Sequence, residues 1–168
     1  MTDTLNALSL KELLRYTEAE TEHWRKWLAT QPPDVLELPM GTGRTATVRG
    51  LIHHIIVVES RYIDRLRGEP VTEYNAVPAD PIEATFEVFT TGRKRLNEWL
   101  EKATDADLAK RLEFQTLTAG TQHASARKIV AHLLIHGIRH WAQIATVVRA
   151  HGHPTDWFHD ILMSDALE

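Results

Sequence analysis

The stretch KIVAHLLIHGIRHWAQIATVVRAHG, residues 128–152, constrains the fold of this chain more than any other. It reads as one long helix beginning near Ser125, running to about Ala150 and terminated by Gly152. His132, His136 and His140 recur at a spacing of four, so they share one face a turn apart, with Ile129, Gln143 and Val147 extending the same stripe. The ends of this histidine ladder lie about 12 Å apart at the helical rise per residue. One ion therefore cannot take all three, and the natural chelate is one adjacent pair completed by an imidazole from a facing helix. A three-nitrogen shell of that kind leaves a coordination position open, as a catalytic site requires.

The rest of the chain supplies facing helices. Ser9 with Glu12 forms a capping-box pattern that opens a first helix to about Leu28. Leu13, Trp24, Trp27 and Leu28 give its apolar side, and Glu18, Glu20, Glu22, Arg25 and Lys26 most of its polar side. Pro32-Pro33 ends it. The connection 31–46 contains GTGR, which lacks the glycine spacing and Lys-Ser/Thr pair of a phosphate loop and reads as a glycine turn. A second helix, apolar around much of its circumference, spans about Thr47 to Arg67. Asp80, Pro81 and Glu83 read as cap, first turn and box of a third helix to about Lys102, with Ile82, Phe86, Phe89, Leu96 and Leu100 on its apolar stripe. Asp105–Leu112 reads as a short helical turn and LTAGTQ permits a brief hairpin. Asp156–Leu162 brings Trp157, Phe158, Ile161 and Leu162 to lie against the bundle. Four long helices without a convincing run of strands predict an all-α four-helix bundle, one domain over 1–168, with connections 31–46 and 103–124 long enough for a crossed-over topology.

The second helix carries the isolated pair His53-His54. The two side chains point about 100° apart and both have apolar neighbours, so periodicity leaves the choice open, with Leu51, Val58 and Tyr62 nearer the side of His54. Glu59 on the same helix is a candidate general base or acceptor behind the ligands; the ordinary alternative is an ion pair with Arg61, Arg65 or Arg139.

Composition narrows the chemistry. The chain has 168 residues, no cysteine and a formal net charge of -4. Disulfides, thiolate-bound zinc, iron–sulfur clusters and a nucleophilic thiol of the protein's own are excluded. The absence of cysteine fits a reducing cytosol, so a cytoplasmic location is expected. Charges of both signs are mixed, with no basic stripe for nucleic acid. No secretory signal is evident, and LIHHIIVV is far too short to cross a bilayer.

Two segments together resemble the DinB/YfiT-like superfamily of small helical metalloenzymes. HIIVVESRY, residues 54–62, is similar to that family's histidine followed five residues later by glutamate and then an aromatic. HLLIHGIRHWAQ, residues 132–143, is similar to its H-x3-H-x3-HRGQ signature. The resemblance implies metal ligands at His54, His136 and His140, with His132 near the metal and Gln143 in the place of the terminal glutamine. Trp141 and Ala142 replace the common arginine and glycine, and Gly137 stands where many members have glutamate. These departures spare the three histidines but put in doubt substrate contacts that would use the missing groups.

Zinc, nickel and iron all suit imidazole nitrogen, and the resemblance favours zinc or nickel. It further implies a transferase that activates a low-molecular-weight thiol toward a small electrophile, with Glu59 or Gln143 orienting the thiol, a water or the histidines. A metal-activated water performing hydrolysis is the alternative chemistry, and a stress-linked scaffold with a structural metal the alternative class. Five tryptophans are more than a small bundle readily encloses. Together with the resemblance this predicts a homodimer, with Trp24 and Trp27 at the apolar centre of the subunit contact.

Overall fold

The computed structural model describes residues 8–116 and 119–167. Helices α1 (Leu10–Leu28), α2 (Val48–Arg67), α3 (Ile82–Lys102) and α5 (Ala126–Ala150) form the bundle, with a five-residue helix α4 (Asp105–Ala109) and a two-stranded hairpin, β1 (Arg111–Thr116) and β2 (Gly120–Ser125), between α3 and α5. Helix α2 packs on α3 and α5, and α1 packs on the same two from the opposite side. The connections α1–α2 and α3–α5 thus cross the bundle, which is the use the long segments serve.

Local chemistry sets most boundaries. Ser9 and Glu12 make both bonds of the capping box on α1, and Thr47 and Ser125 cap α2 and α5. Gly68 ends α2 in the left-handed conformation at φ 68°, which glycine adopts without a Cβ penalty. The start of α3 differs from expectation. Pro81 occupies the cap position and no side chain caps it. Asp80 instead lies 2.8 Å from Arg49, and Glu83 pairs with Arg25. Ion pairs between elements have taken the carboxylates that a local capping box would use.

The core falls into two apolar clusters with a polar layer between them. Trp24, Trp27, Ile52, Ile55, Phe86, Phe89, Trp141 and Ile144 belong to one; Leu14, Ile63, Leu96, Leu100, Ile129 and Leu134 belong to the other. Thr17 and Thr21 on α1, Glu59 and Ser60 on α2 and Arg93 on α3 fall between them along each helix, and all are buried. Such a layer is tolerable only when its polar groups are paired. Arg93 donates to Thr17 Oγ1 at 2.7 Å and to Glu59 Oε2 at 2.9 Å, and its Nε lies 2.7 Å from Glu59 Oε1.

Three expectations need correction. Glu20 is not on a polar face: it is 5% exposed and accepts from Trp24 Nε1 at 2.8 Å, Trp157 Nε1 at 3.0 Å and His159 Nδ1 at 2.6 Å. The final segment touches the bundle through Trp157 and His159, while Phe158 and Leu162 point outward, 78% and 81% exposed. Trp24 and Trp27 are buried within the chain, Trp24 stacking on Trp141 at 5.2 Å, so this pair is not an exposed subunit contact. The crossed topology brings α1, α5 and the C-terminal segment together and encloses more aromatic surface than four sequential helices suggest.

The hairpin is more extensive than LTAGTQ implies; Leu117 and Thr118 lie outside the described residues. Six residues on each side pair antiparallel, from Arg111 with Ser125 to Thr116 with Gly120. Alternation in RLEFQT turns Leu112 and Phe114 inward, and Phe114 meets Tyr62 edge-on at 5.7 Å. No helix of the described residues is long and apolar enough to cross a membrane.

Candidate metal centre

Helices α2 and α5 face each other, and their histidines meet at that contact. His54, His136 and His140 each turn one ring nitrogen toward a common point, all within 4.8 Å of one another. His140 Nε2 lies 3.2 Å from His136 Nε2. Two nitrogens bound to one ion at about 2.0–2.1 Å in tetrahedral geometry stand about 3.3 Å apart, so this pair is already spaced as a chelate.

Hydrogen bonding and burial act on the three candidate ligands. Gln143 Oε1 can only accept, so the 2.6 Å contact with His140 Nδ1 places the proton on Nδ1 and leaves the Nε2 lone pair facing His136. Burial, reinforced by the charges of His140 and Arg44, pushes His54 down to about 4. Burial and the neighbouring His140 and His54 push His136 down to about 3. Both are neutral near pH 7, the form that ligates a metal. A divalent cation fits this donor set, which supplies three imidazole nitrogens.

The adjacent pair on α2 divides its labour. His53 is buried and donates from Nε2 to the Val77 carbonyl at 2.8 Å. That bond holds the loop after α2, which Asp64 also grips through the backbone N–H and hydroxyl of Thr72 at 2.8 and 2.7 Å. The loop delivers Tyr74, whose ring lies 6.4 Å from His54. Arg44 stacks over Tyr74 at 4.8 Å. The turn carrying Arg44 depends on Gly50, where an added Cβ would lie 2.6 Å from the Arg44 carbonyl oxygen. His132 packs edge-on against Tyr62 at 5.2 Å, one turn beyond His136 and outside the ligand cluster.

A cavity of about 600 Å³ opens on His54, His132 and His136, walled by Arg44, Arg61, Tyr62, Arg65 and Tyr74 and by the hairpin residues Thr116, Ala119 and Gln122. A second hollow of about 610 Å³ reaches His140 and Gln143 from the other side, past Met40 and Ala142. The hairpin contribution was missed from sequence, although the polar–apolar alternation of RLEFQT is a legible strand signal.

Glu59 is 4% exposed and its partner is Arg93, not Arg61, Arg65 or Arg139. Two of the three departures from the family signature have structural explanations, and Ala142 has none. Trp141 is buried, donates to Thr21 Oγ1 at 3.1 Å and stacks on Trp24; position 141 thus serves the α1–α5 contact. Gly137 is buried, with Ile55 the neighbour an added Cβ would meet, at 3.7 Å.

A crossed helical bundle with three histidines converging from two helices defines a class of small helical proteins with a donor set that could hold a metal ion. The family model of the DinB family matches residues 1–166, and the chain belongs to that family. No curated protein matches the chain.

Proposed function

We propose that this protein is a metal-dependent enzyme in which His54, His136 and His140 hold one divalent ion, zinc or nickel, and a low-molecular-weight thiol is activated for transfer to a small electrophile. The observation that carries this reading is the convergence of three imidazoles from α2 and α5 beside a substrate-sized cavity. When bound, such an ion supplies Lewis acidity, making a thiol at an open position a nucleophile near pH 7 without a cysteine from the protein. Gln143 acts through His140, fixing its tautomer. Tyr74, held by the loop that His53 and Asp64 anchor, borders the entry to His54.

Hydrolysis is the weaker reading. The candidate for a general base acting on water, Glu59, is instead engaged with Arg93, which also donates to Thr17, in the polar layer. We assign Glu59 to the architecture.

The test is metal content and ligand response. Purified protein is expected to hold one equivalent of metal, and His136→Ala to lose most of it. In cobalt- or nickel-substituted protein, a thiol should generate sulfur-to-metal charge-transfer absorption. Stoichiometric metal in the double variant lacking His136 and His140 would overturn the ligand assignment; silence toward every thiol and anion would turn the reading to a non-catalytic scaffold. The reading includes a homodimer, for which light scattering should give twice the 19.1 kDa chain mass; a monomeric mass across the micromolar range rejects that part.

A further inference from the structure

The wall of the cavity that opens on His54, His132 and His136 carries three arginines, Arg44, Arg61 and Arg65, in a protein whose formal net charge is -4. Elsewhere on the bundle, arginines such as Arg67 and Arg95 are paired with carboxylates. Among the described residues, no carboxylate pairs with any of these three. Arg61 donates to the Thr72 carbonyl, and Arg65 to the carbonyls of Arg61 at 3.0 Å and Gln115 at 2.9 Å. Those bonds orient the side chains without neutralising them. Arg65 is further held between the rings of Tyr62 and Phe114, each 5.3 Å from its guanidinium carbon. Burial and the adjacent Arg61 push it below the ordinary arginine range, as expected of a cation short of counter-charge.

Resting on the proposed metal-dependent function, we infer that the cavity recognises an oxyanion, a carboxylate or phosphate, on the molecule whose donor atom reaches the His54–His136 end, with Arg44, Arg61 and Arg65 as its recognition wall. The guanidinium groups of Arg61 and Arg65, pre-oriented by backbone carbonyls, lose little entropy on meeting an oxyanion and offer paired N–H donors to it. The arrangement places two of the proposed metal ligands, His54 and His136, and the anion wall on one cavity, so it selects a small ligand with a donor atom at one end and a negative charge at the other.

The experiment compares two small thiols on cobalt-loaded protein, 3-mercaptopropionate and the uncharged 2-mercaptoethanol, by charge-transfer absorption. The anionic thiol is expected to bind about tenfold or more tightly at low salt, with the difference shrinking as salt rises. Propionate and inorganic phosphate, added as competitors, show which oxyanion is preferred. Arg44→Gln, which gives up a stacking contact on Tyr74 and a positive charge near His54 without removing a proposed ligand, should keep its cobalt and lose several-fold of the preference for the anionic thiol; Arg65→Gln should lose more. Metal-free protein should gain thermal stability from the preferred oxyanion, a readout independent of the ion. Equal binding of both thiols, or an undiminished preference in folded Arg44→Gln and Arg65→Gln, overturns the inference while leaving the metal reading intact. Failure to hold cobalt, or silence toward both thiols, is instead the failure of the metal reading.

Discussion

His140 and Gln143 are joined by a 2.6 Å hydrogen bond one helical turn apart, and the direction of that bond decides which imidazole nitrogen faces His136. Removing it in Gln143→Ala should lower metal affinity by about 10- to 100-fold, the usual effect of losing a partner behind a ligand. Helix content should stay the same, because Gln143 is exposed. Chelator competition measures the change, and Gln143→Glu should recover much of it, since a carboxylate accepts the same proton.

The Glu59–Arg93 pair should matter to folding rather than to metal binding. Replacing Arg93 by Ala leaves a carboxylate buried without its cation and is expected to cost about 3–5 kcal/mol, read from urea unfolding. Glu59→Gln should be milder and retain one equivalent of metal. Loss of metal from a folded Glu59→Gln would place Glu59 in the metal centre after all.

Glu20 should act as a latch for the C-terminal segment. Its carboxylate accepts from Trp24, Trp157 and His159, and Tyr16 donates to the His159 carbonyl beside it at 3.0 Å. Glu20→Ala strands these donors, each at about 1–3 kcal/mol where no water replaces the carboxylate. The expected signs are red-shifted tryptophan emission and early proteolysis between residues 151 and 167. An unchanged digestion pattern would count against the latch.

Acid should weaken the metal-free protein in a defined window. His54 and His136 sit near 4 and 3 in the fold against an ordinary value of 6.5. Below about pH 6.5 the unfolded chain takes up protons that the folded chain refuses, so their contribution is fully present above that pH. It is lost progressively as pH falls toward the folded values. Urea midpoints measured in chelator from pH 7.5 to pH 4 should fall, and His136→Ala should show a shallower slope. Equal slopes would remove His136 from the effect.

The local signals for the bundle were readable in the chain itself. Ser9 and Glu12 announced α1, Gly68 and Gly152 closed α2 and α5, and the four-residue spacing of His132, His136 and His140 fixed a shared face whatever the helix packed against. Those features depend on neighbours within one or two turns, which is why sequence determines them. Arg93 lay on the same stripe as Phe89 and Leu96, a visible sign of a buried charge, but its partner is 34 residues away, and only packing could name Glu59 rather than leave Glu59 to the arginines near it in sequence. The choice between His53 and His54 was likewise tertiary as far as periodicity went: each had apolar neighbours, and the positions of the Val77 carbonyl and α5 sent one to a loop and the other to the centre. Glu20 looked solvated because Glu18, Glu22, Arg25 and Lys26 accompany it on α1, until Trp157 and His159 arrived from the far end of the chain. The arginine wall of the cavity belongs to the same category, since it exists only where the turn at Arg44, helix α2 and the hairpin are brought side by side.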